Sequence, residues 1–477
     1  MTRKIDHFAF LDHERRDPDV FPIEVRRTEF REIYKPFTQE EAAGQAERCL
    51  DCGNPYCEWK CPVHNYIPNW LKLAGEGRIL EAAELCHETN SLPEVCGRIC
   101  PQDRLCEQAC TLATGFGAVT IGAIERYIVD EAIRQGWRPD LSHVKTRPWS
   151  VGIVGAGPAG LACADVLTRN GVSVTVYDRY PEIGGLLSFG IPDFKLELSV
   201  MQRRREILEG AGVHFKLNCE IGRDIKAHEL EKMHDALFFG TGTYRPVEAD
   251  LPGIEKGGIV PALEYLIGQT SHMYNLDLPG FSHIDLAGEH GLVLGGGDTA
   301  MDCVRTALRQ GAASVQCVYR RDQANMPGAQ REVQHAMNEG VKFEFNTQPL
   351  GLVHENKALT GLEVVRTRLV ASEGGRARPE PIAGSEQVLP ATALIFAFGY
   401  RPSPPAWLQS IEVETGDDGL VAMGDRLPGQ TSNPSIFAAG DMVRGSDLVV
   451  TAVADARAAA LSIIQHLEMR QGQRKSA

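Results

Sequence analysis

Residues 151–160 read Val-Gly-Ile-Val-Gly-Ala-Gly-Pro-Ala-Gly and decide how the sequence is interpreted. An apolar strand leads into a glycine turn, and a helix opens directly after it. Gly155 permits the tight turn, Gly157 lets backbone approach a diphosphate, and Gly160 lets the helix pack closely on the strand. Pro158 suits the first turn of that helix. The stretch predicts a dinucleotide-binding unit with the diphosphate at the helix N-terminus; an ordinary structural turn is the alternative.

Four further features place a dinucleotide on this turn. Asp178 follows the predicted second strand, 173–177, where a carboxylate accepts ribose hydroxyls. Gly185 lies shortly after that acid. Far downstream, the predicted strand 436–439 ends in Gly440-Asp441, and a helix predicted over 451–460 begins at Thr451. In flavoproteins with two dinucleotide sites such an aspartate binds the ribityl chain, so FAD is predicted; a plain helix cap is the alternative.

A second glycine turn has the same context. The run 295–300 reads Gly-Gly-Gly-Asp-Thr-Ala and stands between a predicted strand and a predicted helix. Its predicted contacts are Gly295, Gly297, Asp298 and Thr299. The next strand, 314–319, ends in Arg320-Arg321 rather than in an acid. Guanidinium groups suit a 2′-phosphate, which favours NADPH over NADH; two surface charges are the alternative.

Strands alternate with helices from residue 150 onward, which is the pattern of parallel sheets, and the strand–turn–helix–strand unit occurs twice. We therefore predict an α/β fold with two Rossmann-like domains after a helical domain. The predicted domains are 1–145, a discontinuous unit of 150–244 and 396–470, and an inserted unit of 245–395. Crossover strands are expected near 239–242 and 398–400. The run Arg203–Arg205 is interpreted as a solvated helix face, and the tail from Arg470 as disordered.

Nine of the thirteen cysteines lie between Cys49 and Cys110. Their short spacings and the two Cys-Pro pairs are typical of ferredoxin-like [4Fe–4S] ligand runs, whereas zinc sites usually show paired Cys-x2-Cys knuckles. Eight thiols suit two clusters, namely Cys49, Cys52, Cys57, Cys61, Cys96, Cys100, Cys106 and Cys110. A crossed arrangement groups Cys49, Cys52, Cys57 and Cys110, and it groups Cys61, Cys100 and Cys106 with either Cys96 or Glu125. Cys86 is expected to be a core thiol.

Composition limits the partners and the compartment. The net charge of −14 disfavours nucleic acid. No apolar run approaches the roughly 20 residues that a bilayer requires, and the N-terminus lacks a signal-like apolar region, so we expect a cytoplasmic chain without a membrane contact. The cysteines beyond the first segment form no Cys-x-x-Cys pair. Electrons are therefore expected to leave through the cysteine-rich segment rather than through a dithiol.

Segments 51–66, 93–98, 155–165, 184–189 and 295–304 resemble the small subunit of bacterial glutamate synthase, and the resemblance extends from about Phe30 to Gln465. It implies FAD, NADPH and two [4Fe–4S] clusters. It also implies a large (alpha) subunit carrying FMN, which makes glutamate from glutamine and 2-oxoglutarate. The fold implied is that of adrenodoxin and glutathione reductases. Asp178 departs from the glutamate that many such flavoproteins have.

The resemblance also suggests one residue near the nicotinamide nucleotide. Glu332 stands eleven residues after Arg321, the spacing of a glutamate near NADP in adrenodoxin-reductase-like proteins; a helix-surface charge is the alternative. No segment remains for an FMN barrel, so the glutamate chemistry is expected on another chain. Two rival functions remain at this point: an NADPH–ferredoxin oxidoreductase or bifurcating flavoprotein with another acceptor, and a non-catalytic zinc scaffold.

Overall fold

The computed structural model describes residues 6–372 and 375–476. Its first segment is helical, with α1 (Ala9–Asp12), α2 (Ile23–Arg26), α3 (Gln39–Glu47), α4 (Tyr56–Lys60), α5 (Ile67–Gly75), α6 (Ile79–Thr89), α7 (Pro93–Ile99) and α8 (Ile121–Arg134). Short 3-10 turns cover Gln102–Arg104 and Thr111–Ala113. Trp70, Cys86 and Ile124 lie in the core of this segment. Gly97 lets α7 approach α8, because a methyl group there would lie 2.7 Å from the Arg126 nitrogen.

The chain then builds most of its first sheet. The elements are β1 (Ser150–Val154), α9 (Pro158–Arg169), β2 (Ser173–Tyr177), α10 (Leu186–Phe189), α11 (Leu198–Gly210), β3 (His214–Lys216), α12 (Ala227–Met233), β4 (Ala236–Phe239) and β5 (Arg245–Pro246). β1 pairs in parallel with β2 and with β4, and β2 pairs with β3. The central strands β1 and β4 are buried and apolar, as expected when helices cover a parallel sheet.

The middle of the chain builds a second parallel sheet and a smaller antiparallel one. The strands are β6 (Ile259–Pro261), β7 (His290–Leu294), β8 (Ser314–Tyr319), β9 (Lys342–Phe345), β10 (Thr347–Glu355), β11 (Ala358–Ser372), β12 (Gly375–Pro381), β13 (Gln387–Pro390), β14 (Ala393–Phe396) and β15 (Tyr400–Arg401). The helices are α13 (Ala262–Tyr274), α14 (Asp298–Arg309) and α15 (Gln330–Glu339), with 3-10 turns at Ile254–Lys256, Gln323–Asn325 and Ala406–Ile411. The second sheet has the order β6-β14-β7-β8-β9.

The last segment returns to the first sheet with β16 (Ile436–Ala438), α16 (Asp441–Arg444) and α17 (Val449–Ser476). The first sheet thus has the order β16-β4-β1-β2-β3. β5 and β15 form a two-stranded antiparallel link where the chain leaves this sheet and comes back. The α/β prediction, with helices preceding two parallel sheets, is confirmed. No helix of the described residues is long and apolar enough to span a bilayer.

Two local predictions were wrong. The helix α17 continues to Ser476, so the tail from Arg470 is ordered helix rather than disordered chain. Arg204 is not on a solvated face, since its side chain is only 1% exposed and its guanidinium donates to both oxygens of Glu94 at 2.6 Å. That pair joins α11 of the first sheet to α7 of the helical segment.

Candidate functional site

A cavity of about 590 Å³ lies where the two parallel sheets and the helical segment meet. The first glycine turn and its partners line one side, with Gly155, Gly157, Pro158, Asp178, Gly185, Gly440 and Asp441. The second turn lines the other side, with Asp298, Thr299 and Glu332. The structure therefore gathers residues from both predicted nucleotide sites around one space. Thr451, Gly160, Gly295, Gly297, Arg320 and Arg321 are not among its lining residues.

The first glycine turn is sterically tight on one side and open on the other. Gly155 has a φ of 103°, a left-handed conformation that disfavours other residues. A methyl group on Gly160 would overlap the Gly155 carbonyl oxygen, so helix α9 can approach the strand only with glycine there. At Gly157 an added methyl group would meet nothing within 4 Å. The open side faces the cavity, and it fits the diphosphate that the sequence predicts.

Asp178 lies at the end of β2 and is nearly buried. Its Oδ2 accepts a hydrogen bond from the Ala156 backbone nitrogen at 2.6 Å, and its Oδ1 accepts one from the Tyr180 nitrogen at 2.8 Å. Burial raises the pKa of this carboxyl, while both backbone bonds oppose that shift. Because each carboxylate oxygen has two acceptor sites, one site on each oxygen remains for a hydroxyl donor. This geometry fits binding of a ribose at the cavity wall.

The Gly440-Asp441 corner carries a second acid into the same cavity. Gly440 has a φ of 74°. Among the described residues, the carboxylate oxygens of Asp441 have only long contacts, 3.5 Å from the Thr243 hydroxyl and 3.4 Å from the Asp447 nitrogen. Burial raises the pKa of Asp441 to about 6. The helix α17 begins at Val449, two residues before the predicted start, and its first turn lines the cavity. The Thr451 hydroxyl instead donates to the Leu448 carbonyl at 2.6 Å.

The second glycine turn repeats the geometry of the first. Gly295 has a φ of 146°, and a methyl group there would overlap the Ala397 carbonyl oxygen, whereas Gly297 is open. Asp298 begins α14, and its Oδ1 accepts from the Ala329 nitrogen at 2.8 Å. This bond holds the loop before α15 against the turn. The open side is again the one that a nucleotide diphosphate requires.

The two arginines after β8 have different surroundings. Arg320 is exposed, and its guanidinium has no hydrogen-bond or ion-pair partner within residues 6–372 and 375–476. The Arg321 Nε donates to the Ala377 carbonyl of β12 at 3.1 Å. Arg320 is thus available to a ligand. Arg321, by its bond to Ala377, links the second parallel sheet to the antiparallel sheet.

Glu332 is buried, so the alternative of a helix-surface charge is wrong for this residue. Its side chain lines the cavity and accepts from the Arg305 guanidinium at 2.6 Å. Although burial opposes ionisation, the charges of Lys195 and Arg305 lower its pKa to about 2. Sequence reasoning missed Lys195, which bonds Asp302 at 2.8 Å across the same cavity. No spacing links those two residues, because they meet only in the folded chain.

The predicted cluster ligands separate into two groups around two small cavities. The outer thiol set, Cys49, Cys52, Cys57 and Cys110, surrounds one cavity, and each of its residues is partly exposed. The inner thiol set, Cys61, Cys96, Cys100 and Cys106, surrounds the other. These are the groups of the crossed arrangement. Cys86 lines neither cavity and is fully buried in the helical core.

Glu125 also faces the inner cavity. Its Oε1 accepts from the Asn65 amide at 2.8 Å and from the Asn90 amide at 3.2 Å. Burial raises its pKa to about 8. Cys96 and Glu125 therefore both line the inner cavity, and the two amides donate to the same carboxylate oxygen of Glu125.

The two cavities fit clusters better than single ions. Within the described residues, no group of three or more His, Cys, Asp or Glu side chains is placed to hold one metal ion. A single zinc ion needs its four ligands at about 2.3 Å from one point. A [4Fe–4S] cluster instead fills the space between four thiolates with its own irons and sulfides. Four thiols around a small cavity match the second description.

The inner thiol set adjoins the large cavity. Cys100 and Pro101 line the large cavity between the two glycine turns, the dinucleotide cavity, and Cys100 also lines the inner thiol cavity. Val450, in the first turn of α17, lines the inner thiol cavity as well. Cys96 and Cys100 also belong to the hydrophobic core that α9 and α17 form on the first sheet. A shared wall therefore separates the two sites.

Comparisons with known proteins agree with these two kinds of site. Residues 26–137 match the family model "Dihydropyrimidine dehydrogenase domain II, 4Fe-4S cluster", and residues 149–456 match "Pyridine nucleotide-disulphide oxidoreductase". The glutamate synthase [NADPH] small chain of Escherichia coli is 57% identical over 97% of this chain and 99% of its own length. That of Halomonas elongata is 55% identical over 98% and 100%.

Two further comparisons concern function and fold. The putative oxidoreductase AegA of Escherichia coli is 54% identical over 96% of this chain, which spans 70% of that protein. Among solved structures, FprA of Mycobacterium tuberculosis in complex with NADPH has a TM-score of 0.57 and 19% identity, over 69% of this chain and 86% of its own. At that identity the likeness concerns the fold alone.

Proposed function

The chain belongs to the family of glutamate synthase [NADPH] small chains, and from this premise we propose that it is the electron-input subunit of such an enzyme. It oxidises NADPH through FAD and passes electrons through iron–sulfur clusters to a large subunit. That partner, which we propose carries FMN, makes glutamate from glutamine and 2-oxoglutarate. The main support for the proposal is the wall shared by the dinucleotide cavity and the inner thiol cavity, because Cys100 lines both.

The residues of the first sheet would hold FAD. Gly155, Gly157 and Pro158 would cradle the diphosphate, Asp178 would accept from the ribose, and Asp441 would accept from the ribityl chain. The first turn of α17 would face the flavin ring, where the helix N-terminus favours negative charge. FAD supplies the conversion between a two-electron hydride donor and one-electron carriers. The protein contributes position, electrostatics and exclusion of water.

The residues of the second sheet would hold NADPH. The turn from Gly295 to Thr299 would take the diphosphate, and Arg320, with Arg321, would take the 2′-phosphate. Glu332 lies at the wall between the two glycine turns, beside Lys195. These opposite charges would orient the nicotinamide end toward the first site. No acid–base residue is required, because hydride passes between cofactors.

The two thiol sets would each hold one [4Fe–4S] cluster. We assign Cys96 rather than Glu125 as the fourth inner ligand, because Cys96 lines the inner cavity together with Cys61, Cys100 and Cys106 and thiolates are the usual ligands of a [4Fe–4S] cluster. The inner set adjoins the dinucleotide cavity, and the outer set is partly exposed. The order of transfer is therefore inner set, then outer set, then partner.

We propose three units on the same grounds. Residues 1–145 form the cluster-binding unit, 150–244 with 396–470 the FAD unit, and 245–395 the NADPH unit. The support is the topology, because every strand of the first parallel sheet lies in the discontinuous unit and every strand of the second lies in the insertion, apart from the last residue of β14, Phe396.

The test is anaerobic NADPH oxidation by the purified chain, with a one-electron dye in one assay and with glutamine plus 2-oxoglutarate in another. Turnover with the dye alone is expected. Glutamate formation by the isolated chain would contradict the assignment, as would a colourless protein that oxidises nothing, since the clusters and flavin absorb visible light.

A second candidate function rests on the similarity to AegA, a putative oxidoreductase of which this chain spans 70%. In that case the same NADPH, FAD and cluster path would serve a different acceptor. Co-purification from the native cell separates the two: a large subunit that makes glutamate supports the first function, and another redox protein supports the second.

A further inference from the structure

Arg331, near the start of α15, reaches from the second sheet to the end of α7 and the loop after it, where Cys100 of the inner thiol set lies. Its Nη2 donates to the carbonyl oxygens of Arg98 at 2.8 Å and of Cys100 at 3.2 Å. Its Nη1 donates to the Gln102 side chain at 2.5 Å. One guanidinium thus binds three acceptors on both sides of Cys100, which lies 231 residues away in the chain.

The Gln102 side chain extends this contact to the backbone of Cys96, the other buried cysteine of the inner thiol set. Its amide nitrogen donates to the carbonyl oxygen of Gly97 at 3.2 Å and to that of Cys96 at 3.4 Å. The backbone nitrogens of Glu107 and Gln108 donate to the Gln102 carbonyl oxygen at 3.0 and 3.2 Å. Arg331 therefore links α15 to the carbonyl groups on both sides of Cys100, and Arg104 makes a second link between these two parts of the chain by donating to the Pro327 carbonyl at 2.8 Å.

The positive charge at this point is only partly offset. Glu332 lies 3.5 Å from the Arg331 Nε, but it bonds Arg305 more closely, at 2.6 Å. Two other acids, Glu107 and Asp103, also interact with the Arg331 charge, but Glu107 is paired with Arg15 at 2.8 Å. The Arg331 Nε is buried and has no hydrogen-bond partner among the described residues. Among those residues, Arg331 therefore has no carboxylate bonded as closely as Arg305 and Arg15 have, and its positive charge lies beside the inner thiol set.

We propose that Arg331 is a positioning residue that sets the reduction potential of the inner cluster. This inference rests on the proposed function, because it requires a cluster between those thiols. Reduction adds one negative charge to the cluster, and a fixed cation close by stabilises that form; hydrogen bonds and net charge are known to tune such potentials. Since α15 belongs to the NADPH unit, the charge is in place only when that unit is docked on the cluster-binding unit.

The test is a redox titration of the full-length protein, followed by electron paramagnetic resonance, with iron and sulfide measured on each sample. Arg331→Met removes the charge, and Arg331→Lys keeps it. Arg457→Met is the matched control. Arg457 also donates from another unit to a backbone carbonyl of the helical segment, that of Glu88 at 2.6 Å. Glu88 lines neither thiol cavity.

For Arg331→Met we expect the equilibrium constant for reduction of one cluster to fall about tenfold, which is about 59 mV for a one-electron couple. Arg331→Lys and Arg457→Met should change it less than about twofold, and the second cluster should be unaffected throughout. Unchanged potentials in Arg331→Met, or equal shifts in the methionine and lysine variants, would overturn the role of the charge. A wild-type protein without iron would overturn the proposed function as well.

Discussion

Replacing Arg320 by alanine should weaken NADPH binding and leave NADH binding unchanged. Arg320 follows β8 and is exposed, and its guanidinium bonds no residue of the described chain. Its removal therefore leaves no protein group without a partner and opens no cavity in the core. A change in nucleotide binding would therefore reflect the lost contact with the 2′-phosphate rather than a change in the fold.

The expected rise in the KM for NADPH follows from the exposure of Arg320 to water. A hydrogen bond to a charged group contributes about 1.5–3 kcal/mol, and exposure to water favours the lower end of that range. Since 1.4 kcal/mol corresponds to a tenfold change in affinity, the KM for NADPH should rise about tenfold. NADH has a hydroxyl in place of the phosphate, so its KM should change less than about twofold.

The assay is steady-state oxidation of each nucleotide with a one-electron dye as acceptor. Arg368→Ala is a suitable control, because Arg368 is an exposed cation of β11 whose nearest acid, Glu380, lies 3.5 Å away on β12. It should leave both KM values unchanged. A rise of the same size for NADPH and NADH in Arg320→Ala would refute the assignment of the phosphate to Arg320.

Four other substitutions test the sites and the packing. Gly160→Ala should abolish FAD retention after purification, measured by flavin absorbance, because its methyl group would overlap a carbonyl oxygen of the turn; retained flavin would contradict the close approach. Arg204→Met should cost about 3–5 kcal/mol in urea unfolding, because it leaves Glu94 buried without its cation. Cys86→Ala should keep the full iron content, whereas Cys100→Ala should lose roughly half of it; equal iron in both would contradict the ligand assignment.

Local sequence was sufficient for the glycine turns and for the elements next to them. The predicted bounds of β2 and β8 agree with the structure. A helix follows each glycine turn directly, as predicted, namely α9 and α14. These elements depend on an apolar run, a glycine turn and a helix start that are adjacent in the chain, so the pattern contains what determines them.

Residues whose partners are distant in the chain were beyond sequence reasoning. Arg204 and Glu94 are 110 positions apart, and nothing in a run of three arginines shows which one is buried. Arg331 was absent from the predicted site because its acceptors are backbone carbonyls of another unit, which no residue pattern marks. The spacing of the cysteines suggested the crossed groups, but it could not show that Cys96 lines the same cavity as Cys61, Cys100 and Cys106.

The most direct test of the account is NADPH-driven glutamate formation by the complex reconstituted with the large subunit, comparing wild type with Cys110→Ala. Cys110 belongs to the outer thiol set and does not line the dinucleotide cavity. The account predicts that NADPH still bleaches the flavin absorbance of the variant, while NADPH-driven glutamate formation is lost. Glutamate formation at the wild-type rate, in a variant shown to lack the outer cluster, would contradict electron exit through the outer thiol set.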